Sequence, residues 1–346
     1  MVVPPTPGVL RVKRPGSGVQ GRGITMTGRK VAIGVDVGGT KIAVAAVDAE
    51  GRMVASSKAA TPAGTSEDVV TAIKGLIAKL IESTADIGEV MGIGLAVAGT
   101  IDWEQGVVVQ SPNLPFANLR LKSIVESNFG LSAFMDNDGN LATLGEKYYG
   151  AGRDADNIVG LTLGTGIGAG IIIDGCLYRG ATGSAAEIGH MVIEATGPRC
   201  SCGSYGCFEE MAAGRALVRI AKERAGHTKD SLILKLAGGS IQAITGPMVT
   251  EAAQKNDPLA LDIFNEVGFW LGIGINNVIN IFNPELVILG GGMAEAGDLV
   301  LAPARKVIAE RTLHPNQDVA EVVLADLGNQ AGLLGAAALV FNQLTP

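Results

Sequence analysis

The residues best equipped for chemistry gather in two stretches of the chain. Cys200, Cys202 and Cys207 fall within eight positions, and His190 precedes them in the run Glu187-Ile-Gly-His190. One imidazole nitrogen and three thiolates form a complete tetrahedral set for Zn²⁺, in softness and in number. Such a set leaves no open coordination position, so the metal acts as a local staple rather than a Lewis acid. Glu209 and Glu210 follow Cys207 closely; one of them can face the same site, although solvation at the surface is the usual fate of such a pair. Cys176, the fourth cysteine, stands apart and reads as a core residue. The second stretch is Phe134-Met-Asp-Asn-Asp138, a short strand running into a helix that ends near Tyr149. Asn137 and Asp138 stand at that helix N-terminus, where both residue types are favoured caps. The chemical alternative is that Asp138 takes a proton from an alcohol attacking phosphorus. An aspartate of ordinary pKa, about 3.9, is ionised at neutral pH and needs no tuning for that task.

Two glycine turns point at phosphate. Asp36-Val-Gly-Gly-Thr40 separates two apolar runs, and Lys41-Ile-Ala-Val-Ala-Ala-Val47 continues as a strand rather than as the helix that follows a Walker-type loop. Gly38 and Gly39 make either a plain tight hairpin or a nest of backbone N–H groups for an anion, since glycine tolerates left-handed backbone. Thr40 adds a hydroxyl donor, and Asp36 at the strand end can hold Mg²⁺ directly or through water. Gly164-Thr165-Gly166 repeats this chemistry, so the pair reads as a clamp on a polyphosphate. Gly290-Gly291-Gly292, after a buried strand and before a helix, offers a flat approach for a nucleoside.

The elements that must carry these groups follow from periodicity. Strands are predicted over Lys30–Gly38, Lys41–Asp48, Arg52–Ala59 and Val90–Ala98, and a helix over Ser66–Thr84 with Val69, Val70, Ile73, Leu76, Ile77 and Leu80 on one face. That β-β-β-α-β order is not the alternation of a Rossmann domain. Strands at Ile158–Gly164, Ile167–Ile173 and Cys176–Arg179 repeat the strand, glycine turn, strand, turn, strand sequence of residues 31–59, which suggests a duplicated α/β core with a cleft between halves. Helices are expected over Gly214–Ala225, Gly246–Gln254, Pro258–Phe282, Ala296–Arg311 and Gln330–Gln343, and strands over Pro284–Gly290 and Glu321–Ala325.

Composition removes several classes. The 346 residues carry a net charge of −7 and are 47% hydrophobic but only 18% charged, which excludes disorder throughout and favours two or three domains. The 49 glycines lack a collagen period, and the acidic balance argues against a nucleic-acid binder. Apolar runs such as Val267–Ile275 and Gly332–Phe341 are shorter than the ~20 residues of a membrane span. Residues 1–28 hold four prolines, six glycines and the basic residues Arg11, Lys13, Arg14 and Arg22, with no apolar core of a secretory signal. They read as a disordered tail with no place for a helix-turn-helix, and the protein is expected in the cytoplasm.

Asp36-x-Gly-Gly-Thr40, Asn137-Asp138, Glu187-x-Gly-His190 and Cys200-x-Cys-Gly-x-x-Gly-Cys207-x-Glu209, in this order, resemble the ROK family of sugar kinases and repressors, with the ATP-dependent bacterial glucokinases of that family the nearest likeness. The resemblance runs from about Lys30 to Phe341. It implies an α/β protein of the actin-like ATPase (ribonuclease H-like) fold, two α/β domains around a central cleft. By similarity, 29–135 plus 331–346 form the small domain, and 136–330 form the large one with the zinc site and an oligomerisation surface. Asp138 matches the family's catalytic base. Asn113, Asn137, Glu187, His190 and Glu209 match positions that hold sugar hydroxyls, and Gly39, Thr40, Lys41, Thr165, Gly166 and Gly291 match the ATP-side turns, joined by Asp36 and Gly38 from the turn reading above. His190, Cys200, Cys202 and Cys207 bind zinc. The implied cofactors are ATP, Mg²⁺ and structural Zn²⁺; the implied partners are glucose and further copies of the chain as a homodimer or homotetramer, with no nucleic acid and no membrane. The implied reaction is phosphorylation of the glucose 6-hydroxyl. Another hexose (N-acetylglucosamine, N-acetylmannosamine, mannose or fructose), polyphosphate as donor, and a sugar-sensing repressor are the alternatives.

Overall fold

The structure, a computed structural model, describes residues 29–228 and 231–345; the tail expected over 1–28 lies outside them. β1 (Lys30–Val37), β2 (Lys41–Asp48) and β3 (Met53–Ala60) form an antiparallel meander. α1 (Ser66–Thr84) starts at a capping box in which the Thr65 hydroxyl accepts from the Asp68 N–H and the Asp68 carboxylate accepts from the Thr65 N–H. β4 (Glu89–Val97) then returns parallel to β1. Next come three strands and a helix that periodicity does not reveal: β5 (Thr100–Asp102), β6 (Val107–Gln110), β7 (Ala117–Leu119) and α2 (Leu121–Phe129). Strands of three or four residues are too short to display an alternation. β8 (Ala133–Asn137) lies parallel to β4 and runs straight into α3 (Asp138–Tyr149).

The second series opens with β9 (Ile158–Leu163), β10 (Ile167–Ile173) and β11 (Cys176–Leu177). The helices α4 (Phe208–Ala212), α5 (Gly214–Ala225), α6 (Leu232–Leu236), α7 (Gly246–Gln254) and α8 (Pro258–Phe282) follow. β12 (Leu286–Gly290), α9 (Asp298–Arg311), α10 (Asn316–Val319), β13 (Glu321–Leu324) and α11 (Ala331–Leu344) complete the chain. One sheet has the order β3-β2-β1-β4-β8 and the other β11-β10-β9-β12-β13, so the strands correspond one to one. The duplication expected from the two strand triads is therefore present, in the strand order of an actin-like ATPase fold. A third, small sheet is β5-β6-β7.

Packing divides the chain into two compact units. One comprises Leu161–Ala169 and Glu187–Leu324; the other comprises 29–160, Gly170–Ala186 and 325–345. In the latter, alternate residues of each strand face opposite sides of the sheet. Ile33, Val35, Ile42, Val44, Ile93 and Leu95 pack with Ile73 and Ile77 of α1. Ala32, Ala45 and Val47 meet Leu333, Ala337 and Val340 of α11 on the other face. Full burial of each large aliphatic side chain contributes about 1.5–3 kcal/mol. α11 also lies against α3 so closely that a methyl group at Gly335 would overlap the Leu141 carbonyl oxygen. This backbone contact holds α3, and therefore Asp138 at its first position.

In the other unit α8 is the central helix, with Ile263, Phe264, Val267, Leu271 and Ile275 buried. The Asp257 carboxylate accepts from the Ala260 N–H and caps it. Contrary to the reading of its apolar runs, α8 is long and apolar enough to cross a membrane, the one such helix among the described residues. Its buried side meets α4, α5, α7 and α9 of its own unit.

Candidate active site and metal centre

β8 ends in a residue that starts the next helix. The Asn137 side-chain oxygen accepts from the Gly139 N–H at 2.8 Å and the Asn140 N–H at 3.3 Å, and its amide donates to the Gly99 carbonyl at 3.0 Å. Asn137 is thus the cap of α3, with its side-chain oxygen committed to the fold and one amide hydrogen left over. Asp138 is freed from capping and sits at the first helical position, open to solvent. The surrounding protein still crowds it, and this desolvation raises its carboxyl above the usual value, against the lowering effect of the Gly139 N–H, its own N–H and the Asn137 side chain. An untuned aspartate was the expectation; crowding at the end of a buried strand makes it a tuned one.

Asp36 ends β1 nearby. Burial and then the charge of Asp138 push its carboxyl up to about 6, with Lys41 pulling the other way. Among the described residues the Asp36 carboxylate takes no hydrogen bond and no ion pair. An orphaned, largely buried carboxylate beside a second one is a donor set that suits Mg²⁺, a hard cation that takes oxygen ligands.

Just ahead of Asn137, Asp136 is buried and forms an ion pair with Arg179 Nε at 2.6 Å, while Arg179 stacks over the Trp103 ring at 4.5 Å. Sequence reading passed over this group, because its members lie far apart in the chain.

The glycine turns do less with backbone freedom than expected. None of Gly38, Gly39, Gly164 and Gly166 is left-handed, so neither turn is the nest that positive φ would build. Gly38 donates its N–H to the Lys41 carbonyl at 3.0 Å, closing the hairpin. The glycine at 39 is required by space: a Cβ there would stand 2.8 Å from Asn113 Cβ and from its carbonyl oxygen. Asn113 is thereby brought against the turn, with Thr40 and Lys41 exposed beside it. Gly166 makes the same allowance for Glu209, whose Oε2 a Cβ would overlap. Thr165 is exposed at the tip of that turn. Gly291 is left-handed, at φ 85°, and packs on the Leu163 backbone at the end of β9.

The metal centre is assembled by short-range structure. A single 3-10 turn, Ile188–His190, presents the imidazole. Bridges between Val192 and Cys207 and between Arg199 and Tyr205 fold the cysteine loop back on itself. All four ligand atoms lie within 4.8 Å of one another. Cys202 Sγ is 3.6 Å from Cys207 Sγ, and Cys200 Sγ is 3.6 Å from His190 Nδ1. Ligands at tetrahedral Zn²⁺ distances stand about 3.8 Å apart for two sulfurs and about 3.6 Å for sulfur and nitrogen. The residues fit zinc, with Nδ1 as the ring ligand. Nε2 points elsewhere, 3.9 Å from Glu187 Oε2. Cys176 is exposed rather than a core residue, because the two-residue strand β11 is an edge of its sheet.

Glu209 and Glu210 are both buried, not solvated. Arg215 Nη1 donates to Glu209 Oε1 at 3.2 Å and to Glu210 Oε1 at 2.9 Å. The Cys200 thiol donates to the same Glu209 oxygen at 3.3 Å. Arg215 carried no signal in the sequence, since α4 ends at Ala212 and α5 begins at Gly214, so no helical spacing links it to the glutamates.

Residues 32–343 match the ROK family. The chain is 41% identical over 312 residues to the glucokinase of Streptomyces coelicolor, covering 89% of this chain and 97% of that protein. It is 33% identical over 314 residues to the xylose repressor of Caldicellulosiruptor bescii, covering 90% of this chain and 78% of the repressor. Among solved structures, the ROK family glucokinase from Streptomyces griseus, in complex with glucose and AMPPNP, superposes with a TM-score of 0.78 at 42% identity, over 89% of this chain and 98% of that one.

Proposed function

The chain belongs to the ROK family, and on that premise we propose that it is a hexose kinase that transfers the γ-phosphoryl group of ATP to the 6-hydroxyl of glucose. The observation that carries this reading is Asp138: a carboxylate open to solvent, raised by crowding, at the head of a helix whose cap its neighbour supplies. A carboxylate spared from capping and held above its usual value is a stronger base than an ordinary aspartate.

In the proposed step Asp138 accepts the O6 proton as the O6–Pγ bond forms and the bond from Pγ to the β-phosphate bridging oxygen breaks, releasing ADP. Phosphoryl transfer relies on placement and charge neutralisation, so Asp138 acts chiefly by aiming the alcohol. Mg²⁺, when bound, supplies positive charge to the phosphates. Asp36 is the residue that would hold it. The turn residues Gly38, Gly39, Thr40 and Lys41, and Thr165, Gly166 and Gly291, are assigned to the nucleotide. Asn113, Asn137, Glu187, His190 and Glu209 are assigned to sugar hydroxyls. His190 would give Nδ1 to zinc and leave Nε2 for the sugar. Several polar groups on one sugar reject a wrong epimer strongly, because a mismatch strands a buried group without a partner.

A coupled ADP-release assay tests the reading, with glucose, mannose, fructose, N-acetylglucosamine and N-acetylmannosamine as acceptors and ATP or polyphosphate as donor. Turnover is expected to be fastest with glucose and ATP. The identity to a xylose repressor favours a second reading, a sugar-responsive regulator. Sugar-dependent DNA binding with no turnover of any pair would replace the kinase by that regulator.

A further inference from the structure

Arg215 joins three parts of its unit that the proposed function uses separately. Its backbone N–H and its Nε both donate to the Thr165 carbonyl, at 3.2 and 3.1 Å. Gly214, one residue earlier, donates its N–H to the Gly164 carbonyl at 2.9 Å. The start of α5 therefore holds the Gly164-Thr165-Gly166 turn by three hydrogen bonds. The far end of the same side chain holds the Glu209 and Glu210 carboxylates. Cys200 Sγ, of the candidate metal centre, stands 3.3 Å from the same Glu209 Oε1.

All these contacts on Glu209 fall on Oε1. Among the described residues Oε2 takes no hydrogen bond, and it lies where a side chain at Gly166 would collide with it. Oε2 is thus the Glu209 oxygen left to accept from a hydroxyl.

From this arrangement we infer that Arg215 is a positioning residue that sets both Glu209 for the sugar and the Thr165 turn for the nucleotide. The inference rests on the kinase reading for the identity of the two ligands. Its physical content is the geometry of the guanidinium. A planar fork can donate to a carbonyl with Nε and to carboxylates with Nη1 at once. A lysine ammonium is a single point on a flexible stem, so it can answer the carboxylates but not also supply the side-chain bond to the Thr165 carbonyl.

The experiment is calorimetric titration of glucose and of AMPPNP into wild type, Arg215→Met and Arg215→Lys, with melting temperatures recorded for each. Arg215→Met is expected to weaken both ligands by roughly 10-fold or more, the scale of a lost charge-assisted hydrogen bond. Arg215→Lys is expected to return glucose to within about 3-fold of wild type while AMPPNP stays weakened by roughly 10-fold. Lys222→Met, which removes the same charge further along α5, is expected to leave both unchanged. A role in stability alone would move both ligands together, so the lysine variant recovering both equally, or neither, overturns the link. So does Arg215→Met with either affinity unaltered. Should the methionine variant not fold, the split in the lysine variant decides by itself. A wild type that binds both ligands without turnover strikes the kinase reading and leaves the Arg215 test intact; one that binds neither overturns both.

Discussion

Replacing Asp36 by asparagine should make the ligand-free protein more stable and less active. A free aspartate has a pKa near 3.8, and in the fold Asp36 stands at about 6. A group raised in this way contributes stability while protonated. That contribution is complete below pH 3.8 and is lost as pH rises through about 6. The rise from 3.8 to about 6, at 1.36 kcal/mol per unit, makes the ionised group cost about 3 kcal/mol at neutral pH. The same relation gives about half of that at pH 5. An amide in the same place leaves its own hydrogen bonds unmade, which takes back about 1 kcal/mol. The net gain for Asp36→Asn is then about 2 kcal/mol at pH 7.5 and under about 1 kcal/mol at pH 5. For a unit of this size that corresponds to a rise of roughly 4–8 °C in melting temperature at pH 7.5. The assay is thermal unfolding at the two pH values with EDTA present, paired with turnover in excess Mg²⁺. A variant no more stable than wild type at pH 7.5, or equally stabilised at both pH values, would show that the carboxylate is not buried against its charge. Full turnover by the variant would show that it does not serve the phosphates.

Four further substitutions probe the remaining parts. Asp138→Asn is expected to lower kcat by roughly 10²–10⁴-fold with an unchanged circular dichroism spectrum, and wild-type turnover would remove the base from the scheme. The purified chain is expected to carry about one Zn²⁺ per subunit, and Cys200→Ser or Cys207→Ser to lower the melting temperature; elemental analysis finding no zinc in fresh protein would contradict the metal centre. Gly335→Ala would force α11 away from the Leu141 carbonyl, and a loss of about 1–3 kcal/mol is expected by chemical denaturation. An unaffected variant would mean that α3 is not held by that contact.

What this sequence determined by itself is whatever short stretches of chain decide. The apolar runs of β1 and β2, the face of α1 and the whole length of α8 are legible because each is carried by the element's own side chains. The cysteine loop is legible for the same reason: its three sulfurs lie within eight residues, and a turn and two bridges bring His190 to them. The repeated strand triads forecast the doubled sheet order. Tertiary structure alone decided the environments. The glycines at 39 and 166 carry no local strain; they are there because Asn113 and Glu209 arrive from elsewhere in the chain. Glu209 and Glu210 look like surface residues until a break between two helices turns Arg215 onto them. The pKa of Asp36 and of Asp138 depends on how much protein stands around each carboxylate and, for Asp36, on the charge of Asp138, and neither the burial nor the proximity exists until distant segments have packed.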